Sequence, residues 1–465
     1  MSVLPEQVSV VNVGLPMFAD ALRAQGVMVQ QVDWRIPAGG DLAAVAMLSR
    51  LYGDLSPGVE AANAEVVRRL DTGKPQLVEV STVAQSVPGV TGRTLLHCGP
   101  AIDFEQVCDP LRRSMRAAVV AEGWAADVEA AQRLLSSGDV ALRPANSSQT
   151  VVPMASAIGP TAPVFVVADA HGGTRSYAPV SQGPGDVAWF GRDTDAAIER
   201  LRFLRNVAGP ALRRIVRSAG PLDVLSLAAQ GVSMGDDLHM RTQAATNLLV
   251  RTWLPQLAEL PGQQRRALAR FLSGNHLFFL TLAMAAAKAL TLWAEQVSGS
   301  SIVTSMSRNG TTFGIKLAGS PDWHITDAPP ITDALYYSGY GPKDAAPDIG
   351  DSAVLELVGL GGPAAAGSPA VAAFLGGTMA DARRATEAFR QICAGTSSRF
   401  TLPPLDFTGT PVGVDVRRVV ELGITPQITT GILHASSGAG QIGAGVATAP
   451  QQCFTAALAA LAARL

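Results

Sequence analysis

VSVVNVGLPMFADALRAQGVMVQQVDW, residues 8–34, decides the fold class. VSVVNV (8–13) is a β-branched run. Gly14 permits a sharp turn, and Pro16 suits the first position of a helix. MFADALRAQ carries apolar residues at helical spacing, and Gly26 fits a helix stop. VMVQQVDW (27–34) reads as a second strand. Strand, short helix and strand predict a right-handed crossover and a parallel sheet, hence an α/β protein opening on a Rossmann-like βαβ unit. Asp33 stands where a nucleotide-binding unit keeps its ribose-binding acid. The turn NVGLP, however, has one glycine instead of GxGxxG, so the backbone cannot approach a pyrophosphate closely. The unit therefore reads as structural.

Outward from this unit, residues 42–70 read as helical, and KPQLVEV (74–80) and TLLHC (94–98) as strands. Residues 103–121 and 127–137 read as helices, the second capped by Asp127. PVFVVAD (163–169) is a strand with DVAWF (186–190) as its expected hairpin partner. From 193 to 296 the pattern is almost wholly helical. LFFLTLAMAAA (277–287) is a buried core helix, short of the roughly 20 residues that span a bilayer. Strands return in SIVTSM, TTFGIKL, SAVLELVGLGG and QITTGILH (427–434), with helices near 378–393, 415–422 and 450–464. The expected organisation is a Rossmann-like α/β domain (1–100), an α/β middle domain (101–192), an inserted all-helical domain (193–297) and a C-terminal α/β domain (298–465).

The 465 residues are 48% hydrophobic and only 16% charged, ample for buried cores. A net charge of −2 points to neither nucleic acid nor an anionic membrane. Cys98, Cys108, Cys393 and Cys453 form no CxxC, and MSVLPEQVSV lacks the features of a signal peptide, so a reducing cytoplasm is expected. HExxH, DxDxDG, P-loop, GxSxG and paired CxxC signatures are absent. That absence weakens the usual metal, NTPase and serine-hydrolase classes.

Four stretches carry candidate chemistry. In GVSMGDDLHMRTQAATNLLVR (231–251), Ser233 to Asp236 matches a capping pattern, and Asp236 and Asp237 suit a positive helix start. Asp237 and Arg241 sit four apart, at pairing distance along a helix face. His239 and Arg241 are cations near a positive helix end, a conflict that a bound anion would relieve. SGSSIVTSMSRNGTT (298–312) crowds hydroxyls around Arg308, Asn309, Gly310 and Thr311. This suits a phosphate or carboxylate, or else a polar hairpin with a type I′ turn at Asn309–Gly310. HGGTR places His171 and Arg175 on a loop after a buried strand. Gly438, Gly440 and Gly443 form a GxGxxG string after a strand, either an anion loop or a plain turn.

VNVGLPMFADALRAQG, VDWRIPAGGD, LHCGPAIDFEQVCDPLR, MGDDLHMR, FLSGNHLFFLTLAMAAAKA, MSRNGTTFGI, DIGDSAVLELVGLGG, LDFTGTPVGVDVRRVVELGI and GQIGAG occur in that order. Together they resemble the AllG/YlbE-like family of purine and allantoin catabolism, in which AllG is a subunit of oxamate carbamoyltransferase. The resemblance implies a multidomain α/β protein with companion subunits, one of them FdrA-like and related to acyl-CoA synthetases. Homo-oligomers are compatible with it. The implied reaction converts oxalurate and phosphate to oxamate and carbamoyl phosphate. Such chemistry needs donors for small anions and for the developing oxyanion, and the resemblance thus implies neither a metal nor a cofactor, in keeping with the absent signatures. Arg308, Asn309, His171, Arg175, His239 and Arg241 are the expected donors, with Asp236 and Asp237 beside them. The competing expectation is a non-catalytic assembly or regulatory subunit. The family pattern runs closer to GDE-x-H-N-R-N, so Asp237, Met240 and Thr242 depart from it and another ureido or amide compound fits as substrate.

Overall fold

The structure is a computed structural model that describes residues 8–32 and 34–465. Asp33, the expected ribose-binding acid, lies outside the described residues. The protein is a mixed α/β chain, as its alternating sequence patterns predict. Strands Ser9–Val13 and Met28–Val32 pair in parallel, Ser9 opposite Met28 and Val13 opposite Val32, joined by helix Pro16–Arg23. The helix opens on Pro16, and Gly26 takes a φ of +76° just past its end.

The centre is antiparallel. A four-stranded sheet runs in the order Arg175–Pro179, Pro163–Asp169, Pro75–Thr82, Leu222–Asp223. Helix Phe278–Ala294 packs against its first three strands. The helix is apolar all round because it is buried all round: every residue from Phe278 to Thr291 is buried. Lys288 is its one charged residue, and it reaches Ser305 Oγ at 3.4 Å. The largest hydrophobic cluster forms around this helix, joining Leu77, Phe165, Trp253, Phe278, Leu360 and Val412. Among the described residues no single helix is long and apolar enough to cross a membrane.

A second cluster surrounds the parallel pair Thr94–His97 and Ala141–Pro144 with helix Asp109–Ala121. The C-terminal part contains a four-stranded antiparallel sheet, in the order 324–327, 312–317, 303–309, 349–350. It also has a three-stranded sheet of Ile331–Tyr336, Gln441–Thr448 and Gln427–Leu433. The expected helices near 378–393, 415–422 and 450–464 are Met379–Ile392, Val416–Leu422 and Gln451–Arg464.

Three local expectations are corrected. The hairpin partner of Pro163–Asp169 is Arg175–Pro179, reached by a tight turn, whereas Ala188–Phe190 is a buried 3-10 turn. SAVLELVGLGG is not a strand. It folds as 3-10 turns, Ser352–Val354 and Glu356–Val358, and Gly359 and Gly361 have φ of +91° and +63°. A short apolar run says that a segment is buried but not which backbone it adopts. The residues around Asp236 do not start a helix. Ser233 ends helix Val224–Ser233 with its hydroxyl on Ala229 O, and the next helix is Gln243–Glu259.

Candidate functional site

The loop between those two helices, residues 234–242, is built by its two carboxylates. Asp236 accepts the N–H groups of Ala244 (3.2 Å) and Ala245 (2.8 Å), so it caps helix Gln243–Glu259 from outside, and it also pairs with Arg241. Asp237 Oδ1 accepts the backbone N–H groups of His239, Met240 and Arg241 at 3.1, 3.0 and 2.8 Å. Burial pushes the Asp237 carboxyl up to about 6 in spite of these donors, and the negative charge of Glu356 adds to the rise. Leu238 is buried between them with φ +66°, a left-handed backbone that branched residues rarely adopt. The expected Asp237–Arg241 pair is thus an Asp236–Arg241 pair, and Arg241 has a structural partner.

His239 is the residue this loop presents. Its Nδ1 lies 2.6 Å from Oε1 of Glu356, which is wholly buried. A carboxylate only accepts, so Nδ1 carries the hydrogen of this bond, and in the neutral imidazole Nε2 is then the acceptor. Gly361 makes room for this pair. A Cβ there would stand 2.2 Å from Glu356 Oε1 and 3.2 Å from His239 Cβ, and its backbone N–H donates to Asp237 O.

His239 lines a cavity of 570 Å³. The loop 184–192, the start of helix Phe278–Ala294, the turn at Ser352, helix Pro369–Phe374 and the hairpin 430–441 supply most of its wall, and Pro153, Met154, His276 and Tyr337 complete it. Arg192 also lines it. Its guanidinium is gripped by Asp186 through Nε (2.5 Å) and Nη2 (3.2 Å), and Nη1 donates to Ala439 O at 2.7 Å. Among the described residues these bonds use three of the five N–H groups of an arginine, which leaves two. His276 is a further polar residue of the wall, its imidazole pKa lowered by burial. The arrangement pairs a base whose tautomer is set by a buried carboxylate with a cation oriented by another. That combination can bind an anion and move a proton beside it.

Of the residues expected from sequence, His239 and Gly440 line the cavity, and Asp236, Asp237 and Arg241 hold the loop behind it. Arg308 is a correction. It is fully buried, its Nε and Nη2 on Asp348 at 2.7 and 3.0 Å and its Nη1 on Gly350 O at 2.7 Å. Burial opposes its charge, but Asp348, Glu356 and Asp351 outweigh that and raise its pKa. Asn309 shapes the hairpin turn by accepting the N–H groups of Thr311 and Thr312, and Thr311 Oγ1 donates to Gln106 O. Gly310 (φ +81°) is the only positive-φ residue of that turn, so it is not type I′. His171 and Arg175 stand away from the cavity. His171 bonds Thr72 O and borders a separate recess with Lys74 and Arg399, and Arg175 is exposed at a strand start. Gly438 backs onto the Arg113 guanidinium, and Gly443 lies inside strand Gln441–Thr448 against Leu335 O, so the three glycines form a hairpin and no helix opens on them.

Glu356, Arg192 and Asp186 were not expected. Glu356 sits inside an apolar run 117 positions from its partner, and a charge there is itself a signal, since such a residue is buried only when paired. The acid–base spacing Asp186 to Arg192 carries no comparable signal.

The profile of the family "Oxamate carbamoyltransferase subunit AllG" matches residues 140–352. The oxamate carbamoyltransferase subunit AllG of Escherichia coli K12 is 36% identical over 409 residues, 87% of this chain and 98% of that one. The uncharacterized protein YahG of the same organism is 34% identical over 461 residues, 98% of each chain. A crystal structure of a conserved protein of unknown function from Enterococcus faecalis V583 matches with a TM-score of 0.86 and 33% identity. It covers 88% of this chain and 99% of that chain.

Proposed function

The chain belongs to the AllG family, and from that premise we propose that it is the substrate-binding subunit of a cytoplasmic carbamoyltransferase-type enzyme, working with companion subunits of which one is FdrA-like. The observation that carries this reading is the His239–Glu356 pair on the same cavity as the half-free guanidinium of Arg192. The reaction is transfer of a carbamoyl group from a small anionic ureido or amide compound, such as oxalurate, to phosphate.

The chemistry follows from these groups. A phosphate oxygen attacks the carbamoyl carbon, and the bond from that carbon to the amide nitrogen breaks. Net, one proton leaves the phosphate hydroxyl and one must reach the departing nitrogen. His239 Nε2 accepts the first proton and delivers it to the nitrogen, and the Glu356 carboxylate steadies the imidazolium between the two steps. Arg192 binds the substrate's anionic end, and Asp186 keeps its fork in place. Nothing in this sequence requires Arg308, whose role is in the scaffold.

The test is carbamoyl phosphate formation from oxalurate and phosphate in the assembled complex. His239→Ala lowers kcat by about 10²–10⁴-fold, the usual worth of a positioned acid–base group. Arg192→Ala raises KM roughly 10–100-fold, as loss of a charged hydrogen bond does. Unchanged turnover in both variants would make the chain a supporting subunit whose active site lies elsewhere.

A further inference from the structure

The cavity is larger and more apolar than oxalurate requires. At 570 Å³ it falls in the range of about 300–1,000 Å³ that encloses ligands of drug size. Oxalurate is a flat molecule in which almost every heavy atom is a carbonyl, carboxylate or amide. Buried against hydrocarbon, those groups lose their hydrogen bonds to water without replacement. Yet beside His239 and Arg192 the wall presents Trp189, Phe190, Leu277, Leu280, Tyr337 and Phe374. Tyr337 and Phe374 remain 45% and 42% exposed, so a ligand with a hydrocarbon body would cover them.

Resting on the proposed carbamoyl transfer, we infer that the substrate is an N-carbamoyl amino acid with an apolar side chain. Its carboxylate takes the two unused N–H groups of Arg192. Its ureido nitrogen meets His239 Nε2, and its side chain lies on the aromatic and leucine wall. Attack by phosphate on the carbamoyl carbon then releases the free amino acid and carbamoyl phosphate. The proton balance is unchanged, because the departing nitrogen receives the proton taken from phosphate. Met240 beside His239 adds to the same apolar surface.

The experiment titrates the full-length chain calorimetrically with N-carbamoylglycine, N-carbamoylalanine, N-carbamoylleucine, N-carbamoylphenylalanine and oxalurate. Affinity is expected to rise up to about fourfold per buried methylene. The leucine and phenylalanine compounds then bind at least roughly tenfold tighter than the glycine compound. Phe374→Ala, at a partly exposed rim position outside the hydrophobic clusters, removes most of that gain, so that the leucine and phenylalanine compounds fall toward the glycine compound. Arg192→Ala weakens every member of the series. A flat series, or oxalurate binding tighter than all four, overturns the inference and leaves carbamoyl transfer standing. If no compound binds, oxalurate included, the proposed function falls with it. A gain in affinity that survives Phe374→Ala places the side chain elsewhere and overturns the assignment of this wall.

Discussion

Arg308 shows how a residue with the chemistry of a ligand site serves as scaffold. Both it and Asp348 are fully buried, and the guanidinium spends its donors on the carboxylate and on Gly350 O. Removing one member of such a pair leaves the other charged without a partner, at a cost of about 3–5 kcal/mol. Arg308→Ala is therefore expected to lower the urea midpoint sharply while leaving KM for the anionic substrate unchanged per folded molecule. A variant that keeps its stability and loses affinity would return Arg308 to the site. In the sequence, Arg308 and His239 look alike as cations in polar, Gly-rich surroundings. His239 proved to face a cavity, and Arg308 a buried aspartate 40 positions away. Local pattern reports which groups are present. It does not report which distant carboxylate claims them, which is also why Glu356 stayed hidden in SAVLELV.

The loop 234–242 is the element that carries His239 to the cavity, and it is held by burying carboxylates. The composition of MGDDLHMR made two acids and two cations conspicuous, but capping patterns placed them at a helix start. The strand and helix periodicities around them were legible because each repeats over several residues. An irregular loop has no period, and its shape follows from the three amides gathered by Asp237. Asp237 is displaced from an ordinary 3.8 to about 6. Between those values the folded protein holds a proton that the unfolded chain has released. Its contribution to stability is thus greatest below the window, falls as pH rises through it, and levels off above about 6. Asp351, also pushed up to about 6 by burial, adds to the same slope. Asp237→Asn retains an oxygen for the three amides and cannot ionise. Urea unfolding across this window is expected to show a shallower decline for the variant than for the native chain, with part of the slope kept by Asp351. Identical slopes would mean that Asp237 stays ionised throughout.

At the scale of the whole molecule, the opening βαβ unit was read correctly as strand, helix and parallel strand, but its relation to the rest was not legible. Periodicity identifies an element and its apolar face without naming what covers that face. Here helix Pro16–Arg23 packs on the strand pair, while Val11, Val13 and Met28 remain 63%, 59% and 69% exposed. Parallel sheets are ordinarily covered on both faces, and a two-stranded sheet alone is marginal. Among the described residues, none from 8 to 34 joins any of the hydrophobic clusters. The third cluster begins to recruit this end of the chain only at Ala38 and Ala44. The cavity lined by His239 and Arg192 takes none of its wall from the unit either. A chain starting at Ile36 should therefore keep its three main cores and its cavity intact. Its Tm is expected within about 4 °C of the parent, the shift that roughly 1 kcal/mol produces in a domain of 150–250 residues. Its affinity for the ligand of His239 and Arg192 should be unchanged. A larger drop in Tm, or a loss of ligand affinity in the shortened chain, would show that the unit supports the cores despite its exposed face.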